Sequence, residues 1–143
     1  MFGLFKKRKK DISQLPISEA LPELYNNHGA KYLNIMLWIG DQILFQVIPA
    51  KHFIDKGIKS NSDKDLVVLH FFNKNKTNTI DTWEYFKNNS DGYINFENPK
   101  GNENFIKLLG NNPKQIERLV NEEVIKYKIK DQSLVKIQYS GEN

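Results

Sequence analysis

The chain has 143 residues, with 21 basic side chains, 17 acidic side chains and no cysteine. This length suits one domain with a substantial core, and the lack of cysteine excludes thiol catalysis, disulfides and cysteine-based metal sites. Five of the basic residues lie in positions 1–10, so positions 11–143 carry 16 basic and 17 acidic side chains, a net charge of −1. A body without a basic excess does not favour a nucleic-acid-binding domain, and we expect no nucleic-acid partner.

The first ten residues, MFGLFKKRKK, are predicted to be a flexible basic leader, followed by a single α+β domain over 11–143. A secretory signal peptide has its charges before its apolar run, the reverse of this order, and no apolar run is long enough to span a membrane. We therefore expect a cytoplasmic protein.

The leader has a second interpretation, which is attachment to the inner face of the membrane. Each basic side chain near an anionic lipid surface contributes about 1 kcal/mol, and inserted apolar side chains add to this. The simpler interpretation is a flexible terminus without a specific role. The residues that would bind an anionic membrane or a free anion are Phe2, Leu4, Phe5, Lys6, Lys7, Arg8, Lys9 and Lys10.

After the leader, SEALPELYNN predicts a short helix with Ser18 as its N-cap, which ends in the run from Asn26 to Gly29. The next segment, YLNIMLWIGDQILFQVIP, predicts a β-hairpin, because two apolar runs flank Gly40-Asp41 and glycine favours the first position of a type II′ turn. We expect its strands at about 31–39 and 42–48.

The hairpin register follows from a two-residue loop. It places Trp38 opposite Ile43 and Met36 opposite Phe45 on one face, and both faces are then largely apolar. Such a hairpin is either central and covered on both sides, or has one face that binds a partner. Because aromatic and methionine side chains are enriched in interface cores, the candidate partner-binding residues are Tyr32, Met36, Trp38 and Phe45, with the domain core as the alternative.

The middle of the chain predicts short elements. AKHFIDKGI indicates a helical turn, DLVVLHFF a buried strand at 65–72, and YINF a brief strand before the turn NPKG. Asp81 and Glu84 have the spacing of a capping box for the helix TWEYFK. NENFIKLL predicts a helical turn or two, and Asn112-Pro113 predicts the N-cap and first residue of the helix PKQIERLVNE.

The C-terminal segment VIKYKIKDQSLVKIQY contains two runs in which apolar and polar residues alternate. This pattern predicts a second hairpin with a loop at 131–133. Its outer face would carry Lys126, Lys128, Lys130 and Lys136. This row is either an anion-binding stripe or a set of charges that discourages edge-to-edge association of sheets, and we favour the second interpretation.

Three histidines, His28, His52 and His70, are the candidates for acid–base chemistry, and none forms the i, i+4 pair of a helical metal site. We interpret His28 as a helix-end residue and His70 as a hydrogen-bonded strand residue on the face of Val68 and Phe72. A site that joins His52 or His70 to a distant carboxylate is the enzymatic alternative.

Acidic residues give no clear site in the sequence. Asp55 and Glu84 are possible partners of a histidine, whereas the adjacent pair Glu122-Glu123 is interpreted as solvated residues at a helix end. The run NSDKDL begins like a calcium loop but has leucine where the sixth position requires glycine. We expect no metal ion, no cofactor and no catalytic residue.

The predicted fold is α+β, with a single antiparallel sheet of about five strands and helices mainly on one face. The predicted function is that of a noncatalytic intracellular protein-binding module, of the bacterial inhibitor, immunity-protein, chaperone or adaptor type. Its partner would be an unknown protein or a second copy of the chain. The alternatives are a peripheral membrane protein whose leader attaches to an anionic membrane surface, and an enzyme with a dispersed histidine–carboxylate site.

Overall fold

A computed structural model describes residues 12–27, 33–72 and 80–140 of the chain. Its strands join one six-stranded sheet in the order β4-β5-β3-β2-β1-β6, and every neighbouring pair is antiparallel. The strands are β1 (Asn34–Ile39), β2 (Gln42–Pro49), β3 (Leu66–Phe72), β4 (Ile94–Glu97), β5 (Glu103–Gly110) and β6 (Val135–Ser140). The predicted α+β class with a single antiparallel sheet is confirmed, with six strands where about five were expected.

Three α-helices accompany the sheet: α1 (Ile17–Asn27), α2 (Ile80–Asn88) and α3 (Pro113–Ile125). The start of α3 is as predicted, because the Asn112 side chain accepts a hydrogen bond from the Gln115 N–H at 3.1 Å and Pro113 is the first helical residue. None of the helices in the described ranges is long and apolar enough to cross a lipid bilayer.

The other two helices begin earlier than predicted. Because α1 begins at Ile17, Ser18 lies within its first turn rather than at the N-cap, and the Ser18 N–H donates to the Glu117 carboxylate of α3 at 3.0 Å. Helix α2 begins at Ile80, so Asp81 is inside the helix and not its N-cap.

The main core lies between α1, α3 and one face of the sheet, which we call the helix face. Both helices place apolar residues at i, i+3 or i+4 spacing, so these side chains line one side of each helix. The core also includes side chains from β1, β2 and β3. Its fully buried members include Leu21, Leu24, Ile35, Phe45, Val47, Leu66, Val68, Ile116 and Val120.

The opposite face of the sheet is covered over β3 and β5 by a 3-10 helix at Ala50–Lys56 and the loop that follows it. Ile58 from this loop packs with Val67 of β3 and Ile106 of β5 in a second buried cluster. The predicted helical turn at this position is confirmed. Strands β3 and β5 are therefore covered on both faces.

Strand β5 corrects the prediction of a helical turn in NENFIKLL. Its apolar residues follow one another at helix-like spacing, but Phe105 joins an aromatic cluster with Phe72 and Phe86 while the next residue, Ile106, joins the cluster on the opposite face. Since both faces are covered, both side chains are buried in a strand, and the period-2 pattern of a half-exposed strand is absent. Tertiary packing therefore outweighs the local pattern.

The predicted C-terminal hairpin is wrong in its first half. Helix α3 continues to Ile125, residues 126–128 form a turn, and only β6 is a strand. Strand β6 pairs with β1 instead of with residues 125–130, so Leu37 lies opposite Ile137. The four lysines do not form one row on a sheet face, because Lys126 lies in the turn and only Lys136 lies in a strand.

The first hairpin is confirmed, with Ile39 opposite Gln42 across the predicted two-residue loop. Gly40 has φ 56°, as the first position of a type II′ turn requires. Beyond Trp38 and Ile43 the register departs from the prediction, because a β-bulge makes Leu44 an extra residue in β2. Leu37 then lies opposite Phe45 rather than opposite Leu44.

Candidate functional site

The sheet face opposite the helices changes character at its β1 and β6 end. There it carries Met36 and Trp38 from β1, which lie opposite Gln138 and Lys136 of β6. None of these four side chains is buried: the two from β1 are partly exposed and the two from β6 are exposed. We call this set, Met36, Trp38, Lys136 and Gln138, the β1–β6 face.

Trp38 is held in place on this face by a side-chain hydrogen bond. Its indole Nε1 donates to Gln138 Oε1 at 3.1 Å, across the pair of strands. An indole with a fixed orientation loses less conformational entropy when it is covered by a partner. The face therefore combines a partly exposed, oriented aromatic ring and a methionine with polar neighbours at the sheet edge, a composition typical of interfaces.

The bulge removes Phe45 from the predicted set of partner-binding residues. Met36 lies opposite Gln46, and Phe45 lies opposite Leu37 on the helix face, where it is fully buried in the core. The expectation that Met36, Trp38 and Phe45 share one face is therefore wrong. Tyr32 lies outside the described residues.

A buried polar cluster lies on the helix face, among aromatic rings. It consists of His70 from the middle of β3, Tyr93 just before β4, Glu123 near the end of α3, and Lys126 and Tyr127 from the turn that follows. We call these five residues the His70 cluster. His70 is 0% exposed and Glu123 2% exposed.

Hydrogen bonds around Tyr127 fix the tautomer of His70. The Tyr127 hydroxyl donates to the carbonyl oxygen of Leu44, the extra residue of the bulge, at 2.8 Å. Because this hydroxyl has only one proton to donate, its 2.7 Å contact with His70 Nδ1 requires Nδ1 to carry the donating proton. In neutral His70 the lone pair is therefore on Nε2.

Glu123 is the acceptor at the centre of the cluster. The Tyr93 hydroxyl shares its one proton between the two carboxylate oxygens, at 2.6 Å from Oε2, and Lys126 Nζ donates to Oε2 at 2.8 Å and to the Tyr93 hydroxyl oxygen. Burial raises the pKa of this carboxyl, but its electrostatic interactions with His70, Lys126 and Tyr93 outweigh burial and lower the pKa to about 2. Glu123 is therefore ionised at neutral pH although it is buried.

His70 has the opposite electrostatic balance. Burial lowers the pKa of its imidazole, and this effect outweighs the attraction of Glu123. Its Nε2 lies 3.6 Å from Glu123 Oε2 and has no hydrogen-bond partner among the described residues. A neutral His70 thus points a lone pair at a carboxylate, whereas a protonated His70 would point an N–H at it.

The core encloses both His70 and Glu123, the two buried titratable groups of the cluster. A general base must reach the proton that it removes within hydrogen-bonding distance, and His70 is enclosed by the rings of Phe45, Phe86 and Tyr127, at centroid distances of 4.9, 4.3 and 5.6 Å. Tyr127 occupies Nδ1, and Glu123 lies beside Nε2. The arrangement therefore joins β2, β3 and α3 through polar contacts inside the core.

The other candidates for acid–base chemistry are separated from His70. His52, Asp55 and Glu84 are exposed, and within the described ranges the acidic neighbour of His70 is Glu123. Glu122 is exposed as predicted, but the prediction of a solvated Glu123 is wrong. His28 lies outside the described residues.

Asp65, in the run that begins like a calcium loop, has a structural role. Its Oδ2 accepts from Ser60 Oγ at 3.1 Å and from the Asn61 N–H at 3.0 Å, and its Oδ1 accepts from Asn111 Nδ2 at 2.8 Å. Protein donors thus bond both oxygens and anchor the loop before β3. In the described part of the chain, no three His, Asp or Glu side chains are grouped as metal ligands would be.

Sequence reasoning found His70 but missed its partners. The prediction of a hydrogen-bonded strand histidine is confirmed by its bond to Tyr127. Glu123 carried a usable signal, because it follows Ile116 and Val120 at helical spacing and so falls on the apolar side of α3. Lys126 and Tyr127 carried none, since both were assigned to a strand that does not form.

The leader residues predicted to bind a membrane or an anion, positions 2–10, lie outside the described part of the chain. Comparisons of the chain with protein-family models, with curated proteins and with solved structures found no match.

Proposed function

We propose that the chain is a noncatalytic protein-binding module that binds another protein through the β1–β6 face. The observation that supports this function is the partly exposed Trp38, with its indole oriented by Gln138, next to Met36 on a sheet face. Tryptophan is one of the residue types enriched among those that dominate the binding energy of an interface.

The surroundings of Trp38 agree with this function. Lys136 and Gln138 are exposed beside it on β6, the edge strand of the described sheet. They provide polar groups that can surround an apolar centre, as the rim of an interface does.

The burial of His70 and Glu123 supports a noncatalytic function, because a substrate could not contact either group without a rearrangement of the core. The bacterial inhibitor, immunity-protein, chaperone and adaptor types all fit this function.

The test begins with cross-linking and affinity capture in the native cell, followed by purification of the captured protein. Calorimetry then measures its affinity for the wild-type chain and for Trp38→Ala. We expect Trp38→Ala to weaken binding about 30-fold or more, as for the loss of a dominant interface residue. Ile54→Ala is the matched control, since Ile54 is an exposed apolar residue on the 3-10 helix, and its affinity should equal that of the wild type.

Equal affinities of the wild type and Trp38→Ala would contradict the proposed surface. Sedimentation of the purified chain tests the other occupant, a second copy. A dimer that Trp38→Ala dissociates would assign the β1–β6 face to self-association. A chain that is monomeric at micromolar concentration agrees with a separate partner.

A second candidate function, peripheral membrane attachment in the cytoplasm, is favoured by the charge distribution. The leader holds five basic residues beside three large apolar ones, and the rest of the chain has a net charge of −1. Flotation with vesicles that contain anionic lipid compares the full chain with a chain that lacks residues 2–10. We expect only the full chain to float, and to be released by salt. Equal flotation of both would exclude this attachment.

A further inference from the structure

The buried contact between His70 Nε2 and Glu123 Oε2 lies apart from the proposed binding surface and leaves Nε2 without a hydrogen bond. At 3.6 Å it is too long for a hydrogen bond, and Nε2 has no other partner among the described residues. A buried nitrogen without a partner is rare and costs stability. The site is therefore prepared to accept a proton at Nε2 but is not bonded in the neutral state.

We propose that His70, Glu123 and Lys126 form a proton-operated switch, in which protonation of His70 Nε2 moves Glu123 Oε2 from Lys126 to His70 and releases the turn that follows α3. The proton comes from solvent and adds to the Nε2 lone pair, and no covalent bond between heavy atoms changes.

Competition for one oxygen decides which bond gives way. Glu123 Oε2 already accepts from Lys126 at 2.8 Å and shares the single Tyr93 hydroxyl proton with Oε1, so a donor from His70 would be the third at an oxygen with two lone pairs. Two cations beside one carboxylate also repel each other. The Lys126 side chain is 27% exposed and that of His70 is 0% exposed, so Lys126 is the cation that can return to water.

The other groups around His70 do not offer a second acceptor for a proton on Nε2. Phe45 of β2 and Phe86 of α2 carry no charge, and Tyr127 is already bonded through Nδ1. Tyr93 contacts the imidazole edge-on and bonds Glu123, and burial raises its pKa far above neutrality, so it stays protonated. Lys107 of β5 lies over the Tyr93 ring, 5.6 Å from its centroid.

The turn itself is a segment that can change conformation. Its amides at Lys126, Tyr127 and Lys128 donate to the last carbonyls of α3 at 3.0 to 3.2 Å. Lys128 has φ 56°, a left-handed backbone conformation that residues other than glycine seldom adopt. The Lys126 side chain holds this turn through its bonds to Glu123 and to the Tyr93 hydroxyl, and loss of the bond to Glu123 favours a more relaxed backbone.

Titration of the His70 imidazole by NMR tests the first half of the switch in the folded full-length chain. In Lys126→Met the competing cation is absent, so we expect His70 to bind its proton about threefold or more tightly than in the wild type. Lys126→Arg should restore the wild-type titration. Lys130→Met, at an exposed position outside the cluster, should leave it unchanged.

Hydrogen exchange tests the release of the turn. Protection factors of the amides at 126–128 should fall severalfold as His70 becomes protonated, while those of β3 remain constant, and in His70→Asn the turn should show no such change. The proposal is overturned if His70 titrates equally in the wild type and Lys126→Met, or if it stays neutral in both down to acid unfolding. It is also overturned if the turn keeps its protection while His70 takes up its proton.

Discussion

Phe45 and Trp38 both belong to the first hairpin, but their side chains lie on opposite faces of the sheet. Phe45 is fully buried and in contact with His70 and Tyr127, whereas Trp38 is partly exposed beside Gln138. Phe45 therefore belongs to the core, whereas the indole of Trp38 lies at the surface.

This difference predicts unequal effects on stability. Phe45→Ala should lower the free energy of unfolding by about 3 to 5 kcal/mol, because it leaves a cavity in the core. Trp38→Ala should lower it by only about 1 kcal/mol, as expected for a partly exposed residue. Urea denaturation followed by circular dichroism measures both. Similar large losses from the two variants would show that Trp38 is also part of the core.

The His70 cluster predicts how stability depends on pH. Burial holds the pKa of His70 below its ordinary 6.5, so its contribution is complete above pH 6.5 and is lost as the pH falls toward the folded-state value. Glu123 has its pKa lowered from 4.5 to about 2, so its contribution is complete above pH 4.5 and is lost toward pH 2. We expect the urea midpoint to fall in two stages on acidification.

His70→Asn separates the two stages, since asparagine can still donate to Tyr127 but does not titrate. Its urea midpoint should be constant between pH 6.5 and 4.5 and should fall only below 4.5. His52→Gln is the control, because His52 is exposed, and it should keep the wild-type profile. If the urea midpoint of His70→Asn still falls between pH 6.5 and 4.5, groups other than His70 cause this loss of stability.

At the scale of elements, α3 has the most clearly defined start. Asn112 accepts from the Gln115 N–H, and Pro113 occupies the first turn. Asn112→Ala should therefore lower the free energy of unfolding by about 1 kcal/mol, and Asn112→Asp should not lower it, because aspartate caps equally well. Denaturation midpoints measure this. Gln115→Ala changes an exposed side chain outside the cap, and an equal loss there would contradict the capping role.

The same scale shows which elements local sequence can predict. A turn and a cap depend on a few neighbouring residues, so Gly40-Asp41 and Asn112-Pro113 were sufficient to locate a hairpin and a helix. Strand β5 could not be recognised in this way, because its two covered faces come from distant segments, α2 and the 3-10 helix. The end of α3 was likewise mistaken for a strand, since VIKYKIK alternates between apolar and basic residues.

At the scale of the whole molecule, the sheet is covered unevenly. Strand β3 has buried residues on both faces, whereas most side chains of β6 are exposed. We expect amides of β3 to exchange most slowly, near the rate set by global unfolding, and those of β6 to exchange fastest among the strands. Hydrogen-exchange mass spectrometry measures this, and equal protection of β3 and β6 would contradict it. A bound partner should slow exchange in β6.

Local sequence also predicts only part of each candidate site. The sequence predicted Met36 and Trp38 on one face of the first hairpin and His70 as a bonded strand residue, because each depends on its own strand. It could not assemble the His70 cluster, whose members come from β3, α3, the turn after α3 and the segment before β4. It also could not foresee the bulge, which depends on how β1 and β2 pack in the finished sheet.

The bulge at Leu44 has a consequence for how the protein can evolve. By adding one residue to β2, it turns Phe45 toward the helices while Trp38 and Met36 stay on the other face. Substitutions at Trp38 and Met36 can therefore change the proposed binding surface without disturbing the hydrophobic packing around Phe45. Deletion of Leu44 would remove the extra residue and leave Phe45 opposite Leu37, on the helix face. Variation of the proposed binding surface is thus open to point substitutions in β1, while the hydrophobic packing around Phe45 in β2 is maintained.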